Sequence, residues 1–130
     1  MVVDIRLTPE IFEKYGDRKG KKGRIDFVVD VDSRLFYAVP KGFEHSDFVS
    51  RLKGDPEKLI PVQFRFNKDT LVEIITGASS FEAEYGVRHE QKYLVLAHKF
   101  AIELASCSNL DIDLKRNEIL HIYQKKTTSS

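Results

Sequence analysis

Two stretches of this chain alternate apolar and polar residues with a period of two, and each opens the same succession of features. In the first, Ile25, Phe27, Val29 and Val31 fall on one side, Asp26 and Asp30 on the other. In the second, Ile60, Val62, Phe64 and Phe66 alternate with Gln63 and Arg65. Successive side chains of a strand point to opposite faces, so each stretch reads as a half-buried strand. Asp32-Ser33 supplies a tight turn into a partner strand at 35–39, and Asn67-Lys68-Asp69 a turn into another at 71–76. Both pairs then reach a Gly-x-x-His step, Gly42-Phe43-Glu44-His45 and Gly86-Val87-Arg88-His89, and a helix follows each.

Strand, strand, loop and helix, twice over, dictate an α+β chain. The expected architecture is a mostly antiparallel sheet of about six or seven strands, with one long helix, 88–106, packed on a face and two short helices elsewhere. The first short helix starts at Thr8-Pro9, where proline loses nothing by lacking an amide, and stops at Gly16. The second runs from Ser46 to about residue 53, ahead of Gly54 and Pro56. A strand at 2–7 precedes them, 17–23 reads as a polar loop, and 110–114 with 119–123 reads as a third hairpin. The last residues, 124–130, are polar and read as a disordered tail.

The long helix has a definite orientation. At 100° per residue, Arg88, Lys92, Lys99, Glu103 and Ser106 form a narrow polar stripe. Most of the remaining girth is apolar and belongs in the core. His89 falls on the line of Leu96, Phe100 and Cys107 and is expected to point inward.

Length and charge narrow the classes without naming a function. The chain has 130 residues, 42% of them hydrophobic, enough for a single domain over 1–130 with its own core. Its formal net charge of +1 selects no partner by bulk electrostatics. No apolar run reaches the ~18 residues of a membrane span, and the first residues lack the pattern of a signal peptide. One cysteine, Cys107, excludes an internal disulfide and cannot by itself hold zinc. These features point to a cytoplasmic or nuclear chain.

Four groups of residues carry candidate chemistry. His45 and Asp47, with His89 and Glu90, are the candidates for acid–base work, since imidazole titrates near neutrality. The segment 77–87 is long for a connection. It begins with small residues and carries Phe81 and Tyr85, so it reads either as a surface loop packed down by its two aromatics or as the wall of a cleft in which amides near the helix start meet an anion. Arg18, Lys19, Lys21, Lys22 and Arg24, spaced by Gly20 and Gly23, form a basic stretch suited to phosphates on nucleic acid. Asp26, Asp30 and Asp32 read as solvated carboxylates, since Asp26 and Asp30 stand about 13 Å apart on one strand at ~3.3 Å per residue.

No metal-ligand or cofactor spacing is present, so neither a metal nor a cofactor is expected. The residues fit a non-catalytic binding or assembly module with nucleic acid or another protein as partner. The alternative is a small hydrolase-like enzyme that acts on a phosphorylated substrate through a two-histidine cleft formed by His45 and His89.

Overall fold

The alternating stretches form the middle of one mixed sheet. The computed structural model describes residues 17–19, 22–39, 45, 49, 52, 54–108 and 111–119. In chain order these contain β1 (Asp17–Lys19), β2 (Lys22–Asp30), β3 (Leu35–Ala38), a 3₁₀ turn (Pro56–Lys58), β4 (Leu59–Asn67), β5 (Thr70–Thr76), α1 (Ser79–Tyr85), α2 (Gln91–Cys107) and β6 (Asp111–Ile119). The strand order is β1-β2-β4-β5-β6. β3 pairs with Phe27 to Asp30 of β2, while β1 pairs with Lys22 to Arg24. Since β4 occupies the other edge of β2 from Lys22 to Asp30, β1 and β3 lie end to end along one edge.

Pairing is antiparallel from β1 to β5 and parallel between β5 and β6. The α+β class therefore holds, and the sheet is mixed. The parallel pair follows from its connection, because only a long crossover can return a chain to start at the same end of a sheet. Here α1 and α2 together supply that crossover.

Each face of the sheet has its own cover. Ile25, Phe27, Val29, Phe36, Ile60, Val62, Phe64 and Ile74 form the larger core with Leu94, Ala97, Phe100, Ala101 and Leu104 of α2. At its centre, Phe27 meets Phe36 and Phe64 edge-on, with ring centroids 5.7 and 5.4 Å away. Phe100 and Leu104 are buried, and Lys92 and Lys99 are exposed, as the helical stripe requires. On the opposite face Val28 and Leu59 pack with Val39, Val49 and Phe81 of α1. The chain from β5 thus seats α1 on one face, rounds the end of the sheet, and lays α2 across the other.

Several boundaries differ from the sequence reading. Residues 17–19 and 22–30 are strands of a hairpin, so 17–23 is not a loop. Segment 77–87 contains the seven residues of α1. That helix closes on Gly86, whose φ of 62° is the left-handed conformation glycine adopts without a Cβ clash. The long helix begins at Gln91 because Glu90 is extended and the amide of His89 is bonded to the Glu82 carboxylate. His89 therefore precedes the helix and does not share its angular line. Leu96, 38% exposed, and Cys107 on that line face outward.

At the far end one continuous strand, β6, replaces the expected hairpin start. Its register slips between Leu71 and Glu73 of β5, which absorbs the polar residues where a turn was expected. The expected strand at 2–7, the helix from Thr8-Pro9 to Gly16, most of the helix at 46–53, residues 120–123 and the tail 124–130 lie outside the described residues. No helix among the described residues is long and apolar enough to cross a membrane.

Candidate functional site

The face of the sheet under α1 changes character along its strands. Register places Val28 opposite Pro61, Asp26 opposite Gln63 and Arg24 opposite Arg65, all on this face. The Val28 end is covered by the smaller apolar cluster, whereas the Arg24 end is polar. Two arginines facing each other across a ladder repel, and two intervening side chains relieve this. Arg24 Nε lies 3.5 Å from Asp26 Oδ2. Gln63 Nε2 donates to Asp26 Oδ1 at 3.0 Å, and Arg65 Nε donates to Gln63 Oε1 at 2.7 Å. The result is a continuous ladder, Arg24–Asp26–Gln63–Arg65, that fixes the directions of its donors and acceptors.

A cleft of about 310 Å³ opens where the covered and polar halves meet. Arg24, Asp26 and Gln63 line it from the sheet, Ser80 and Phe81 from α1, and His45 from a separate segment. Asp26 keeps only 12% of its side-chain exposure, so it is a wall of this cleft and not the solvated carboxylate expected from sequence. His45 is half-buried, and its Nε2 is enclosed with no hydrogen-bond partner among the described residues. Burial lowers its pKa, while the Asp26 charge and the nearby backbone of Val62 and Phe27 act in the opposite direction. Near neutral pH the imidazole is therefore uncharged.

The second histidine serves another purpose. His89 is 1% exposed and is not among the residues lining the cleft. Its Nε2 lies 2.9 Å from the Pro56 carbonyl, and since a carbonyl only accepts, Nε2 carries the proton. The Glu82 carboxylate receives the His89 amide at 2.7 Å and lies 3.7 Å from the ring Nδ1. The imidazole also packs on Phe81, with centroids 5.3 Å apart. Burial lowers the His89 pKa, with the Pro56 carbonyl and Glu82 opposing. His89 thus ties the turn between α1 and α2 to the turn before β4, behind the Phe81 ring that lines the cleft.

The other candidates from sequence separate. Glu90 is exposed and lies 3.5 Å from Lys92. Asp47 and Lys21 lie outside the described residues. Arg18, Lys19 and Lys22 occupy strand positions in the β1–β2 hairpin, with Lys19 opposite Lys22, and Arg24 of the same stretch lines the cleft. Asp30 has a structural role, its Oδ1 accepting from the amides of Asp32 and Ser33 in the turn to β3. Among the described residues no group of three His, Cys, Asp or Glu side chains is placed to hold a metal ion.

Sequence reading missed Gln63 and His98, whereas Ser80 and Phe81 belong to the segment 77–87 named as a candidate cleft wall. Gln63 carries a signal, because it is the uncharged polar residue between two strands' charged positions. His98 carries another, since it lies one turn beyond Leu94 on the buried side of α2. Its Nδ1 lies 2.7 Å from the buried hydroxyl of Thr76, and burial lowers its pKa against a smaller opposing effect of Asn117. No family model, curated protein or solved structure matches this chain.

Proposed function

We propose that this chain is a non-catalytic binding module whose recognition surface is the cleft between Arg24, Asp26 and Gln63 of the sheet and α1. The observation that carries this reading is the state of Asp26. Both of its oxygens are engaged, one by Gln63 and one facing Arg24. A carboxylate held in this way is a fixed acceptor, suited to orienting a ligand and poorly suited to shuttling a proton.

The alternative, a two-histidine hydrolase for a phosphorylated substrate, draws less support. It requires His45 and His89 at one ligand, and His89 is enclosed and bonded to a backbone carbonyl. Nucleic acid enters as a partner class through the β1–β2 hairpin, where the register sets Lys19 opposite Lys22 at the sheet edge.

A thermal-shift screen of small polar compounds, with recovery of each stabilising compound afterwards, tests the proposal. The expected result is a compound that raises the melting temperature and is recovered chemically unchanged, with the effect reduced in Arg24→Gln. A stabilising compound recovered as a new product would overturn the non-catalytic reading.

A further inference from the structure

The lining of the cleft specifies a kind of ligand, given that the cleft is a binding site. Among the described residues its charged groups are Arg24 and Asp26, of opposite sign and 3.5 Å apart. The remaining polar groups, Gln63, Ser80 and the uncharged His45, add no charge. A phosphate dianion placed against Arg24 would also face the Asp26 carboxylate beside it. There the repulsion of one offsets the attraction of the other. The cleft is balanced for a ligand of no net charge.

Unused hydrogen-bonding capacity narrows the class further. Asp26 can only accept, and after Gln63 and Arg24 each of its oxygens keeps a lone pair. Arg24 can only donate, and its Nε faces Asp26. An acceptor-only group fixed beside a donor-only group matches a pair of adjacent hydroxyls. One hydroxyl donates to the carboxylate, and its neighbour accepts from the guanidinium. Ser80 and the second amide hydrogen of Gln63 can serve further hydroxyls. A volume of about 310 Å³ stands at the small end of ligand sites, in keeping with one sugar ring.

We propose that the cleft binds a neutral ligand carrying a vicinal diol, of monosaccharide size, through Asp26 and Arg24. The diol belongs either to a free sugar or to the ribose of a nucleoside.

Proton–nitrogen correlation spectra of the full chain, titrated separately with D-glucose, D-ribose, adenosine, its deoxyribose analogue and inorganic phosphate, test this. The expected result is a saturable shift of the Arg24, Asp26, Gln63 and Ser80 amides with at least one of the three diol-bearing probes. A response to a free sugar assigns a sugar site, and a response to adenosine alone assigns a nucleoside site. Asp26→Asn should weaken the bound probe by about tenfold, the loss of one charge-assisted hydrogen bond. Ser80→Ala, at an exposed position that leaves the fold intact, should weaken it by a smaller factor.

Silence of all three diol probes overturns the proposal, as does a deoxyribose analogue that binds as well as adenosine, or a response to phosphate alone. If the diols are silent while another compound stabilises the protein through these residues, this inference falls and the binding-module reading stands. If no compound acts on the cleft, both fall.

Discussion

The bond between Thr76 and His98 joins the last residue of β5 to the middle of α2, inside the main core. Thr76 is fully buried, His98 is 8% exposed, and the two polar atoms lie 2.7 Å apart. Thr76→Val keeps the shape and deletes the hydroxyl, which strands the imidazole Nδ1. An abandoned buried polar atom costs about 1–3 kcal/mol. His98→Leu strands the hydroxyl in turn, at a similar cost of about 1–3 kcal/mol before any repacking. In the double variant both atoms of this bond are gone, and what remains is the loss of the Asn117 contact of His98, which the single His98→Leu variant shares. The double variant is therefore expected to lose at least about 2 kcal/mol less than the sum of the single losses. Urea unfolding near pH 7.5, where the imidazole is uncharged, supplies the four values, provided the m-values agree. Additivity within about 0.5 kcal/mol would refute the reasoning, because it would mean that neither atom depends on the other.

Three further outcomes are expected. Phe100→Ala removes a ring that is only 7% exposed from the core beneath α2, and should cost roughly 3–5 kcal/mol in chemical denaturation. A loss below about 1 kcal/mol would contradict its place there. Burial lowers the pKa of His45, His89 and His98 in the folded chain. The unfolded chain therefore takes up protons first as pH falls. Stability present above about pH 6.5 should be lost below it, by up to about 1.4 kcal/mol per pH unit for each histidine. A urea midpoint that stays constant from about pH 7.5 to about pH 5.5 would contradict this. Replacing Lys19, Lys21 and Lys22 by Ala should weaken oligonucleotide binding at low salt and flatten its salt dependence. An unmodified chain that binds neither single- nor double-stranded oligonucleotides at low salt removes nucleic acid as a partner.

What was legible in the sequence was set by local periodicity. Alternation identified β2 and β4 and the residues they bury, and turn chemistry at Asp32-Ser33 and Asn67-Lys68-Asp69 identified both hairpins. The polar stripe of α2 was legible because Lys92, Lys99 and Glu103 recur at helical spacing. The start of that helix was not, since a buried carboxylate seven residues upstream, Glu82, holds the His89 amide. β6 was hidden because Lys115, Arg116 and Asn117 resemble a turn, and a strand at the outer side of a sheet does not require strict alternation. In the site, the two-histidine motif drew attention to His45 and His89 by position along the chain. Their different roles depend on the 3₁₀ turn at Pro56–Lys58, whose carbonyl engages one of them. Asp26 looked solvated because strand geometry alone cannot reveal that Gln63 faces it and that α1 and His45 stand over it.

The parallel pairing of β6 with β5 bears on how the chain assembles and fails. β4 and β5 are joined by a short turn and can zip locally. β6 finds its place only after the whole α1–α2 passage has been laid down, so its closure carries a larger entropic cost. It should therefore be among the last elements to dock and the first to detach, and its amides should exchange with solvent ahead of those of β4. Detachment bares the hydrogen-bonding edge of β5 while the α2 core is still intact. A strand edge of that kind can accept β6 from a second molecule as readily as its own. Aggregation would then begin from a nearly native chain with one strand released, and conditions that tighten the β5–β6 seam would suppress it without raising global stability.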